Sequence, residues 1–418
     1  MHKRINKQLN KAKSASISFG LLPHSERILI LKNLAKELRK NKKMIISANL
    51  KDLKKIPKSS PMRDRLLLNN ARIEGMAKEI ENLIKMPDPI GKIFDCRERL
   101  GLKICRKKVP IGVIGVIYES RPNVTTDVAG ICIKSGNAVV LKGGKEARES
   151  YIALHKIIKR SFMLSKVNPE AVQFIDPKIK DSVLDIISAN GLVDVIIPRG
   201  SSGLINFVRK NATVPVIETG AGVCHTYVDD EAILDKSAKI IFNAKTQRSS
   251  VCNALDTALV SRKIAKEFLP KMAKLLKEKN VEIFADTESF KVLKGCYPKN
   301  LLKIAKASDF GREFLSQKIS IKIVSGIDEA IKFISKYSSK HSEAILTENK
   351  KNAERFLKEI DSAVVYVNAS TRFSDGAVFG LGSEIGVSTD KIHARGPMGP
   401  NEMTTYKWIV SGKYNTRK

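Results

Sequence analysis

A chain of 418 residues is long enough for two or three domains and a large buried core. At 43% hydrophobic and 28% charged it reads as globular rather than disordered, and it holds no apolar run of membrane-spanning length. The net charge of +32 suits anionic ligands, but lysines are spread through nearly every predicted helix, with no zinc finger, RNP-type aromatic motif or separate basic tail, so neither a nucleic-acid nor a membrane partner is expected.

The opening MHKRINKQLNKAKSASISFG is basic and lacks an apolar stretch, so no secretory signal is expected and a cytoplasmic location is the default. Residues 25–58 predict helix, because Ile28, Leu31, Leu34, Ala35 and Leu38 recur at helical spacing between charges. Residues 70–85 repeat that pattern. The stretch RERLGLKICRKKVP, 97–110, alternates apolar and charged residues around Leu100-Gly101, which predicts a strand pair. Its charges face both ways, so it is expected to protrude.

Strand–helix alternation follows. VIGVIYE (113–119), NAVVLKGG (137–144), AVQFI (171–175), VDVIIPRG (193–200) and VPVIETG (214–220) are short apolar runs with helical segments between them. Such runs predict a parallel, doubly wound sheet. A second series begins after Asp230, with strands at 258–261, 281–286, 318–325, 342–348 and 362–370. It predicts a second α/β domain. MTTYKWIVSG, 403–412, reads as an isolated final strand.

Glycine turns open helices at LKGGKEARES and PRGSSGLINF, but neither is a P-loop or a G-x-G-x-x-G. Each can cradle a phosphate, or serve as a plain strand-to-helix turn. Asn123, in ESRPNVTTDVAG, would sit at the sheet's carboxyl edge, where ligands gather. The six cysteines, Cys96, Cys105, Cys132, Cys224, Cys252 and Cys296, form no C-x-x-C pair, so neither a disulfide framework nor a metal site is expected. Cys252 stands apart, in the polar turn of NAKTQRSSVCNALDTALV beside Arg248, where a thiol can ionise and act as a nucleophile, or else serve as a buried structural cysteine. Neither His225 nor His393 has the spacing of a cysteine-protease base.

Several blocks together resemble the gamma-glutamyl phosphate reductase family (glutamate-5-semialdehyde dehydrogenases) of the aldehyde dehydrogenase superfamily. They are VPIGVIGVIYESRPNVTTDVAGICIKSGNAVVLKGGKEA, VPVIETGAGVCHTYVD, NAKTQRSSVCNALDTALV and NASTRFSDGAVFGLGSEIGVSTDKIHARGPMGPNEMTTYKWIVSGK. The resemblance implies an aldehyde dehydrogenase-like α/β fold: two doubly wound, Rossmann-like domains plus a small β oligomerisation element. A cofactor domain is expected over 1–92 and 109–226, with an oligomerisation hairpin at 93–108 and a catalytic domain at 227–369. A return segment (370–402) and a C-terminal oligomerisation strand (403–418) complete the expectation.

The implied reaction is NADPH-dependent reduction of L-glutamyl 5-phosphate to L-glutamate 5-semialdehyde, with release of phosphate, in proline biosynthesis. By motif position Cys252 matches the catalytic cysteine. Asn123 matches the asparagine that faces the thioester oxygen, and Glu218 the glutamate that acts as a base in hydrolytic members. Lys142 matches the lysine on the adenosine ribose, and Gly200 and Ser201 the pyrophosphate turn. Glu313 matches the acid on the nicotinamide ribose. Lys145 stands where many NAD-preferring relatives carry Glu, which favours NADP by charge complementarity. Arg248 and Arg395 are the candidates for the substrate phosphate. No metal is implied; a homo-oligomer is, and a glutamate kinase is a candidate partner. The chain departs from the family pattern at Ser249-Ser250, often Pro-Gly, and at Ala221 and Val223, often Val and Asn. Two other readings stand beside this one: a hydrolytic NAD(P)-dependent aldehyde dehydrogenase, and a basic binding protein without catalysis. A requirement for phosphate separates the first two.

Overall fold

The computed structural model describes residues 1–58, 60, 62–119 and 121–417. The chain divides into two units. The first is Met1–Thr219 with Gly380–Gly386 and the segment from Ile392 onward; the second is Gly220–Phe379 with Val387–Lys391.

The first unit opens with helices α1 (Lys3–Phe19), α2 (His24–Lys40), α3 (Lys42–Leu53), α4 (Met62–Leu66) and α5 (Asn70–Lys85). The expected single helical stretch over 25–58 is two helices, parted at Asn41. Helix α1 was not anticipated: its lysines mask a buried stripe of Ile5, Leu9, Ala12, Ala15 and Phe19.

Strands β1 (Ile93–Arg99) and β2 (Leu102–Pro110) form the anticipated pair. Leu100 and Gly101 both take positive φ, 53° and 74°, and close a two-residue turn. Arg99 then faces Leu102 and Arg97 faces Ile104, which brings Cys96 level with Cys105. These two cysteines are disulfide-bonded, contrary to the expectation of none. Motif spacing overlooked the pair because the link runs across a hairpin; the turn sets the register that joins it. The C-terminal strand Thr404–Ser411 pairs antiparallel with β2, giving a three-stranded sheet.

The remaining strands of this unit are β3 (Val113–Tyr118), β4 (Ala138–Lys142), β5 (Val172–Phe174) and β6 (Val195–Arg199), in the parallel order β5-β4-β3-β6. Every residue of β3 is buried, as a strand covered by helices on both faces requires. Helices α6 (Val124–Lys134), α7 (Arg148–Leu164), α8 (Ser182–Ile187) and α9 (Ser202–Asn211) connect and cover the strands. The expected strand in VPVIETG reduces to one bridge, Ile196 to Val216. Pro215 has no N–H to extend a ladder.

The second unit is one parallel sheet of seven strands. They are β7 (Cys224–Val228), β8 (Leu255–Ser261), β9 (Glu282–Ala285), β10 (Leu302–Ile304), β11 (Lys318–Val324), β12 (Ser342–Leu346) and β13 (Val364–Val367). Their order is β10-β9-β11-β8-β7-β12-β13. Helices α10 (Leu234–Thr246), α11 (Ala265–Lys277), α12 (Thr287–Leu293), α13 (Ile327–Tyr337) and α14 (Lys350–Glu359) flank it. Two apolar clusters bury the sheet: one holds Phe268, Leu269 and Met272 of α11, the other Phe333 and Ile334 of α13. No helix among the described residues is long and apolar enough to cross a membrane.

Candidate active site

In the first unit, the carboxyl edge of the four-stranded sheet carries most of the residues singled out above. Lys142 is the last residue of β4 and is half-buried. Burial pulls its ammonium below the ordinary lysine range, against the opposing charge of Glu146. Lys145 opens the next turn and is exposed. Gly200 and Ser201 lie between β6 and α9. The Ser201 N–H donates to Glu119 Oε2 at 2.8 Å, and its hydroxyl donates to Oε1 at 3.1 Å. The positive end of α9 therefore already faces a carboxylate, from the residue that follows β3.

Asn123 caps α6. Its Nδ2 donates to Asp127 Oδ2 at 2.8 Å. Asp127 is buried, and its carboxyl is pushed well above the usual range by burial first and by Glu79 second. Arg199, at the end of β6, opposes that shift. Glu218 Oε1 lies 3.7 Å from Arg209 Nε, and Arg395 is half-buried.

In the second unit α10 ends at Thr246, β8 begins at Leu255, and Cys252 stands half-buried in the turn between them. The Ala254 N–H closes that turn on the Val251 carbonyl at 3.1 Å. Gly222 lies directly against it: a Cβ at Gly222 would sit 1.7 Å from the Cys252 carbonyl oxygen, so only glycine fits. The Gly222 N–H donates to Glu313 Oε1 at 3.0 Å, and the Val223 N–H to Ser339 Oγ at 2.8 Å. The Cys224 thiol is buried and donates to the Cys252 carbonyl at 3.3 Å. Burial pushes that thiol well above its usual range, which makes it inert.

The segment after β13 clasps the same turn. Asn253, next to Cys252, donates Nδ2 to the Ser374 carbonyl at 2.9 Å, and Thr371 Oγ1 donates to the Asn253 carbonyl at 2.8 Å. The Arg372 guanidinium donates to Asn253 Oδ1 and, through Nε, to Gln247 Oε1 at 2.9 Å. Arg248 is exposed. His225 is buried with its Nδ1 3.1 Å from Glu343 Oε2, and His393 Nε2 lies 2.6 Å from the Glu402 carbonyl. No group of three side chains among the described residues is arranged to hold a metal ion.

The aldehyde dehydrogenase family profile matches residues 1–289. The chain is 46% identical over 418 residues to a gamma-glutamyl phosphate reductase of Chlorobium phaeobacteroides, covering all of both chains. It is 47% identical to the Legionella pneumophila enzyme of the same name, over 99% of each. The crystal structure of the Thermotoga maritima gamma-glutamyl phosphate reductase superposes with a TM-score of 0.94 at 43% identity, over 99% of this chain and 100% of that one. The chain belongs to the gamma-glutamyl phosphate reductases.

As a member of these reductases it has the aldehyde dehydrogenase-like α/β fold that the motifs implied. Sequence reasoning missed three side chains that the structure brings to the candidate residues. Asp127 anchors Asn123, Glu119 faces Ser201, and Arg372 clasps the Cys252 turn. Asp127 and Glu119 lay inside the quoted YESRPNVTTD block and Arg372 inside NASTRF, so the signal was present without a partner to give it meaning.

Proposed function

We propose that the chain uses NADPH to reduce L-glutamyl 5-phosphate to L-glutamate 5-semialdehyde, releasing phosphate, through a thioester on Cys252 in proline biosynthesis. The observation that carries this reading is the contrast between two neighbouring thiols. Cys224 is sealed in the core, whereas Cys252 is half-buried in a turn braced on both sides.

The Cys252 thiolate attacks the acyl carbon of the mixed anhydride. The bond from that carbon to the phosphate oxygen breaks, and phosphate departs with the electron pair. The oxyanion formed on the way is assigned to the Asn123 amide and the Cys252 backbone N–H. Each such donor is worth about 3–4 kcal/mol in comparable sites. A bound nicotinamide cofactor would supply the hydride to the thioester carbon; the bond from that carbon to the Cys252 sulfur would then break, releasing the aldehyde and regenerating the thiolate. Lys142 and Lys145 would hold its phosphorylated ribose, and two cations after one parallel strand suit that group. Gly200 and Ser201 would take its pyrophosphate and Glu313 its nicotinamide ribose.

No water needs activation, because the acyl group leaves by reduction. Glu218, within ion-pair reach of Arg209, is read as positioning groups rather than as a hydrolytic base. Arg248 and Arg395 are assigned to the substrate's anionic groups. A homo-oligomer built on the hairpin and the C-terminal strand, supply of substrate by a glutamate kinase, and a cytoplasmic location complete the reading.

The test is NADPH-dependent turnover of the wild type against Cys252→Ser, with NADH as control. Turnover should vanish in the folded variant; equal rates would remove the nucleophile. In the reverse direction, oxidation of the semialdehyde should require phosphate. Free glutamate formed without phosphate would favour the hydrolytic alternative.

A further inference from the structure

We propose that Arg372 joins Arg248 in binding the phosphoryl group of the acyl phosphate, and that it holds Cys252 as its thiolate. This rests on the reading of Cys252 as nucleophile, and it adds a residue that no motif pointed to. The guanidinium spans the whole Cys252 turn, from Gln247 at its start to Asn253 just past the sulfur-bearing residue. Both of these partners are neutral amide oxygens, so neither hydrogen bond neutralises its charge, while the Asp375 carboxylate acts on it electrostatically. Among the described residues two of its five N–H groups are engaged, which leaves a fork for two oxygens of a phosphate.

The electrostatics agree. Burial, the largest influence, lowers the guanidinium's affinity for its proton, and Cys252 is the foremost group opposing it, ahead of Asp375. Arg248 acts in the same direction as burial, so two positive charges are held around this turn. Like charges kept together cost free energy unless an anion joins them. Before reaction the Cys252 thiolate would share that role with the Asp375 carboxylate. As the sulfur bonds to the acyl carbon and the carbon–oxygen bond to phosphate breaks, negative charge moves from sulfur to the departing phosphate. Arg372 is thereby assigned to the charge at both stages.

The experiment has two readouts, neither of which is forward turnover. The first is the pH dependence of Cys252 alkylation by iodoacetamide, followed on the Cys252 peptide by mass spectrometry without substrate. The second is the KM for inorganic phosphate in the oxidation of glutamate semialdehyde. Arg372→Gln should raise the alkylation midpoint by about one pH unit or more, and should raise the phosphate KM about tenfold or more. Arg372→Lys, which keeps the charge and loses the fork, should keep the midpoint near wild type while the phosphate KM still rises. If the Gln variant does not fold, the Lys variant alone carries the test through its phosphate KM. Either readout left unmoved in a folded Gln variant overturns the proposal, and a fall in kcat alone would mark Arg372 as a structural clasp. Turnover that survives Cys252→Ser would instead sink the nucleophile, and that result is separate from any obtained with Arg372.

Discussion

The Asn123 amide donates to Asp127 Oδ2 at 2.8 Å, one helical turn along α6. A side chain assigned to a developing oxyanion is thereby held by a buried carboxyl whose proton is retained by burial and by Glu79. Asp127→Ala should leave the amide unanchored and lower kcat by up to about a hundredfold. Alkylation of Cys252 should stay at the wild-type rate.

The same carboxyl makes a pH prediction. Its folded pKa is raised above the unfolded value, so it contributes stability that is complete below the unfolded pKa and lost as pH climbs through the folded one. Urea midpoints of the wild type should therefore fall as pH climbs above the unfolded pKa and through the raised folded one. Asp127→Asn, which mimics the protonated form, should flatten that fall.

Gly222→Ala would place a methyl group 1.7 Å from the Cys252 carbonyl oxygen. The turn must move to admit it. A displacement of about 1 Å at a reacting centre costs on the order of a hundredfold in rate. Single-turnover thioester formation should show the loss, and the melting transition should fall as well, because the overlap is with backbone.

Glu119 already occupies the positive end of α9, where Ser201 receives it at 2.8 Å. A pyrophosphate there would meet a carboxylate. Glu119→Gln should strengthen NADPH binding several-fold by removing one negative charge, about 1 kcal/mol. Fluorescence titration of NADPH would read it, and weaker binding would contradict it.

The Cys96–Cys105 link closes a short hairpin loop of sequence separation nine. Reducing it should weaken the hairpin by about 3 kcal/mol at most. Amides of β1 and β2 should exchange faster with reductant present, and those of β8 should not. Equal exchange would show that pairing with the C-terminal strand alone holds the hairpin.

The sequence by itself determined the local elements and the chemistry-bearing stretches. Parallel strands buried on both faces read as near-continuous apolar runs, so β3, β4 and β6 could be read directly. The polar turn holding Cys252 stood out for the converse reason, because it interrupts such runs. Helix α1 was hidden because its narrow apolar stripe includes two small alanines and is interleaved with four lysines.

Only the tertiary structure decided which distant residues meet. The hairpin register joined Cys96 to Cys105, and the fold of the second unit brought Arg372 onto Asn253 across 119 residues of sequence. Glu119 reaches Ser201 across 82 residues in the same way. Strand order and the return of a loop over a sheet are set by the packing of whole elements, and local periodicity carries no record of them.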